Sequence, residues 1–179
     1  MPSTSNQSQG PAPRVSLFGN GTLTPPGATA KAITYNPSLA PTGAAVTAIV
    51  VPSSNGTTTA TLAVSSLLPN RSYAVHAHTE ACGATGEAAG PHFQNHEDPA
   101  ATPQAPSTNP EYANPKNEIW LDVHTDAAGA GTSSTTVPFV LTDSRVPGSI
   151  VIHEATQTST APGQAGEAGA RIACLTLAK

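Results

Sequence analysis

The chain holds six histidines in 179 residues, and two of them sit one residue apart. The segment Tyr73–His78, "YAVHAH", reads as an extended strand, in which residues i and i+2 point the same way. His76 and His78 therefore project together, with Val75 and Ala77 turned to the opposite face and the core. Two imidazoles on one face can aim their ring nitrogens at a single ion, although a His-x-His pair alone is more often two surface histidines. Two further histidines favour the metal reading. "AGPHF" places His92 in a loop that follows the pair, and "PGSIVIHE" ends another apolar strand in His153. Four imidazoles with no thiolate suit Cu(II), with zinc as second choice. Arg171 is the only Lys or Arg between Arg145 and Lys179. It reads plainly as a solvated charge, but beside a metal its fixed charge and planar donor fork would suit a small anion.

The elements that must position these residues are strands. Charged residues make up 10% of the chain and aromatics 4%, against 18 prolines and 15 glycines. Long-chain helix formers are too scarce for helices, and turns are frequent. "AAVTAIVVP" (Ala44–Pro52) is β-branched. "TTTATLAVSSL" alternates with period two: Thr58, Ala60, Leu62 and Val64 share one face, Thr57, Thr59, Thr61 and Ser65 the other. Asn55-Gly56 joins the two runs as a hairpin. "RVSLFG", "AITYN", "NEIWLDVHT", "STTVPFVLTD" and "ARIACLTL" are further strand-like runs. Two long stretches have no period, Thr79 to about Pro115 and Ala155 to Gly169. Loops of that length inside a compact domain are usually functional or disordered, and the first carries two histidines and a cysteine. The expected fold is all-β: an antiparallel eight-stranded Greek-key β-barrel or sandwich with two long functional loops. It would occupy residues 13–179, after a disordered polar tail at 1–12.

The net charge of −4 gives no basic footprint for nucleic acid. No apolar run approaches the length of a membrane span. Met1 is followed by Pro-Ser-Thr-Ser-Asn-Gln, so no signal peptide is visible. Cys82 and Cys174 are the two cysteines, far apart in sequence. They are either a disulfide, which would imply an oxidising compartment, or two unrelated buried thiols. Oligomeric state is not readable.

Taken in order, "VHAH", a nearby cysteine, "AGPHF", "PGSIVIHE" and "AGARIAC" resemble the copper/zinc superoxide dismutase family, over roughly Lys31 to Leu177. "NEIWLD" and the closing portion look most like an actinobacterial-type branch. The resemblance implies that His76, His78, His92 and His153 are copper ligands. It makes His92 the histidine that bridges copper and zinc in zinc-containing members, and a candidate to detach and carry a proton. Arg171 matches the arginine that guides and holds superoxide. Cys82 and Cys174 would form the disulfide tying the long loop to the last strand, as in an exported protein. The implied activity is copper-dependent disproportionation of superoxide to oxygen and hydrogen peroxide; the alternative is a non-enzymatic copper-binding or copper-delivery module on the same fold. The chain departs from the family on the zinc side. "NPKNEIWLD" lacks the expected His-x-x-Asp, and the loop at 155–169 contains no aspartate. A zinc site is thus expected to be absent or non-standard, with His96, Asp98, Glu118, Asp122 and His124 as the residues available to it. In a copper-only protein, Glu118 or Asp122 would hydrogen-bond to a ligand histidine and set its tautomer.

Overall fold

The computed structural model describes residues 14–179; the polar tail expected at 1–12 lies outside the described residues. The strands are β1 (Leu17–Thr22), β2 (Ala32–Thr34), β3 (Ala45–Pro52), β4 (Thr58–Ser65), β5 (Ser72–Tyr73), β6 (Val75–His78), β7 (Val123–His124), β8 (Gly131–Val137), β9 (Ser149–His153) and β10 (Arg171–Thr176). The hairpin at Asn55-Gly56 joins β3 to β4, paired from Pro52–Thr58 back to Ala45–Ser65. Gly56 takes a φ of +82° in that turn, which a side chain would disfavour. The alternation read from the sequence sorts the two faces. Thr58, Ala60, Leu62 and Val64 are buried, and so are Val46, Ala48 and Val50 across the pair.

Eight strands make two antiparallel four-stranded sheets, in the orders β1-β3-β4-β8 and β2-β10-β9-β6. Chain neighbours repeatedly change sheet, as a Greek-key sandwich requires. The inward faces share one core that includes Leu17, Val50, Leu62, Ile150, Ile152, Ile172 and Leu175. The sheets also meet along one margin, where Phe18 and Ala178 exchange two main-chain hydrogen bonds.

A two-stranded ribbon, β5–β7, is additional to the eight. It arises because "RSYAVHAH" does not run as one strand. At the break, the N–H of Ala74 bonds to Ala155, and the Asp122 carboxylate takes the N–H of Val75. "NEIWLDVHT" is accordingly regular only at Val123–His124, with isolated pairings at Glu118 and Trp120. The second sheet carries the chemistry: His76 and His78 on β6, His153 at the end of β9, and Arg171 at the start of β10. Arg171 and His153 lie opposite each other across the β9–β10 pair, next to a bulge.

Candidate metal centre

Val75 and Ala77 are in the core, as the strand period requires, and His76 and His78 are also fully buried. His78 pairs with His92 in an isolated antiparallel bridge, which brings the first long loop back over β6. Ligand nitrogens from His76, His78, His92 and His153 all lie within 4.8 Å of one another. The hydrogen bonds around the rings identify the nitrogen each one turns inward. Nδ1 of His78 donates to the carbonyl of Gly90 at 2.9 Å. Nδ1 of His153 donates to Gly169 at 3.3 Å. Nδ1 of His92 donates to Oε1 of Glu118 at 2.8 Å. Each of these rings therefore keeps its proton on Nδ1 and leaves Nε2 as a lone pair. His76 is reversed. Its Nε2 donates to Thr158 at 2.6 Å, and its Nδ1 is buried without a hydrogen-bond partner.

Four lone pairs thus converge in one largely buried place, with Nε2 of His78 only 3.2 Å from Nε2 of His153. Neutral imidazoles repel in that arrangement unless a cation sits among them. Protons do not supply it readily. Burial lowers the pKa of His76 and His78 well below the ordinary histidine range, and the neighbouring imidazoles push in the same direction. Burial, with His92 adding to it, takes His153 down to about 3. The donor set fits a copper ion, since neutral imidazole nitrogen suits that metal.

The groups behind the rings complete the site. Glu118 is 1% exposed. Its Oε1 accepts from both His92 and Trp120 at 2.8 Å, and its Oε2 accepts from Gln94 at 2.7 Å. The buried carboxylate thus has three donors, which fix its position behind the ring of His92. Asp122 acts one residue removed: it accepts from the Thr158 hydroxyl at 2.8 Å and the Thr158 N–H at 2.9 Å, and Thr158 accepts from His76. Of the alternatives Glu118 or Asp122 for a hydrogen bond to a clustered histidine, Glu118 makes one, to His92, whereas Asp122 reaches His76 only by way of Thr158. Nothing in the run "ATQTST" marks Thr158 out, so sequence reasoning missed it.

The other residues available to a second metal are used elsewhere. His124 bonds to Ser72 on the β5–β7 ribbon. Asp98 holds the N–H of Ala100 and the hydroxyl of Ser107. His96 is exposed and engages Asn117 through its main chain. Among the described residues, only the four-histidine group gathers three or more metal-ligating side chains.

Arg171 enters the same region from the other side. Its Nη1 donates to Gly90 at 2.7 Å and Gly86 at 3.0 Å, both in the segment around a single 3-10 turn, Gly86–Ala89. Arg171 also lines a cleft of about 790 Å³ whose wall includes His92, His153, Glu118 and Gln94. Burial pulls the arginine pKa down while Glu87 and Tyr35 pull it up, and a guanidinium stays charged throughout. The carbonyl of Gly90 therefore serves both Arg171 and His78. A Cβ on Gly90 would stand 2.5 Å from Oγ1 of Thr79, and the residue has a φ of +71°. The disulfide Cys82–Cys174, with Cα atoms 5.8 Å apart, fastens this segment to β10.

The fold and the site define a β-sandwich that can hold a metal on four histidines beside a fixed arginine. The chain belongs to the copper/zinc superoxide dismutase family, whose model matches residues 44–176. A similar solved structure is that of the clock protein EA4, 16% identical, with a TM-score of 0.57 over 94% of this chain and 97% of that one. At that identity the likeness concerns the fold alone. No curated protein sequence matches the chain.

Proposed function

We infer that the protein is a copper-dependent superoxide dismutase, converting superoxide to oxygen and hydrogen peroxide. The observation that carries this reading is the convergence of four imidazole lone pairs on one buried point, with Arg171 lining the same cleft. Bound copper would supply one-electron chemistry, taking an electron from one superoxide and giving it to the next. The remaining work falls to side chains. The free edge of the Arg171 fork binds and orients the anion, and its charge raises the encounter rate in a salt-dependent way. His92 is the ligand open to the cleft, its side chain 19% exposed. Its Nε2 is the atom placed to pass a proton to the product, while Glu118 holds the ring through Nδ1.

The same Glu118 bond supports a copper-only reading. It occupies the nitrogen of His92 that a bridged second metal would need. The family and the disulfide fit an exported protein, which we take as its location.

The test is to load the protein with copper, with zinc and with both, and to follow superoxide decay after pulse radiolysis. Copper alone should restore activity, and adding zinc should not change it. Copper binding without activity would instead favour a copper-carrying module. Full activity in a His153→Ala variant would overturn the four-ligand assignment.

A further inference from the structure

Three of the four sheet margins are covered by other parts of the chain. β1 is sealed by Ala178, β2 by the main chain of Thr24, and β6 by residues 119–121. β8 is different. It ends its sheet, and among the described residues the far side of its main chain carries no main-chain hydrogen bond: Asp126 bonds to Ala130 just ahead of the strand, and Val123 and His124 of β7 pack against Gly131 at its start. Its inward residues report the opening. Ser133 and Thr135 are only half-buried, although their β4 partners Leu62 and Ala60 are buried.

The usual protections of an open edge are a charge, a proline or a bulge. β8 reads "GTSSTTV" and has no charge or proline, and its pairing with β4 runs without a register shift. We propose that β8 is a self-recognition edge, pairing antiparallel with β8 of a second copy to join the two sheets into one of eight strands.

The occupant is argued from the symmetry of the segment. A two-fold axis at Ser134 sets Ser134 against its own copy, Thr132 against Thr136, and Ser133 against Thr135. Every one of those pairs is hydroxyl against hydroxyl, and cross-strand Thr and Ser pairs are favourable. No like charges meet at the axis. The chain already makes this contact on the other side of the strand, where Thr136 meets Thr59 at 2.9 Å and Ser134 meets Thr61 at 3.3 Å. The contact is narrow: the paired residues 132–136 at about 3.4 Å each give a seam of roughly 17 Å. It belongs with small, reversible interfaces, so the dimer should be concentration-dependent.

Sedimentation velocity of the full chain from low to high micromolar concentration tests this. The average mass should rise from one copy toward two. Ser134→Lys, which brings two ammonium groups together at the axis, should stay monomeric while keeping its far-ultraviolet circular dichroism and copper uptake. Register is read by oxidative cross-linking. Ser134→Cys should link to itself, and Thr132→Cys should link to Thr136→Cys far better than to itself. A monomer at every concentration, a dimer that survives Ser134→Lys, or cross-links indifferent to register would overturn the proposal.

Discussion

Tautomer control gives each histidine its task, and it is exercised by neighbours of different kinds. Carbonyls of Gly90 and Gly169 hold His78 and His153, Glu118 holds His92, and Thr158 holds His76. Groups that orient metal ligands commonly matter by 10- to 100-fold in affinity or rate. Glu118→Gln keeps the shape but removes the charge that fixes the proton on Nδ1 of His92. It should weaken copper binding by about 10-fold or more and slow turnover, with competition against a chelator and the dismutation rate as readouts. Unchanged values in both would detach Glu118 from the chemistry. The four histidines were visible in the sequence because their spacing and order are local signals. Glu118 was visible as one of two carboxylates that could orient a ligand histidine, but not which one, since its contact with His92 spans 26 residues. Thr158 was invisible, one hydroxyl in a run of threonines and serines, because its contact with His76 spans 82.

At the scale of elements, β6, β9 and β10 supply rigid positions and the first long loop supplies adjustment. The strands were readable from alternation, and the β3–β4 hairpin from Asn55-Gly56. The break at Ala74 was not, because it depends on Asp122 and Ala155 reaching in from distant segments. Within the loop, the 3-10 turn and Gly90 matter because their carbonyls anchor Arg171. Gly90→Ala forces a side chain into the space of Thr79 and strains a left-handed backbone. The variant should lose rate and salt dependence together, as Arg171→Ala should, while also weakening copper through His78. Arg171→Ala should leave copper affinity intact. Measuring rate against ionic strength alongside copper affinity for both variants separates the two effects. Equal rates in Arg171→Ala and the native protein would remove the arginine from the mechanism.

For the whole molecule, folding without metal means burying neutral imidazoles. His76, His78 and His153 have folded-state pKa values below the usual 6.5, so below that pH the unfolded chain binds more protons than the folded one. Stability of the metal-free protein should therefore rise with pH and be lost progressively as pH falls below about 6.5, down to about 3 for His153. The expected slope is of order 1 kcal/mol per pH unit for each of the three. Urea unfolding at pH 7.5 and 5.5 measures it, and a flat dependence would show that the rings are already charged or open to water. Copper, bound at the same nitrogens, should raise stability at both pH values and compete with protons at the lower one. Fold class followed from composition and alternation, whereas the proposed redox role rests on how the loops close over one sheet. The most direct test follows copper absorbance while successive pulses deliver several equivalents of superoxide per copper. Started from the oxidised or the reduced protein, the signal should converge on the same intermediate level, because both half-reactions run at one site. A signal that runs to full reduction or full oxidation and stays there, or levels that still depend on the starting state, would contradict catalysis of dismutation by this protein.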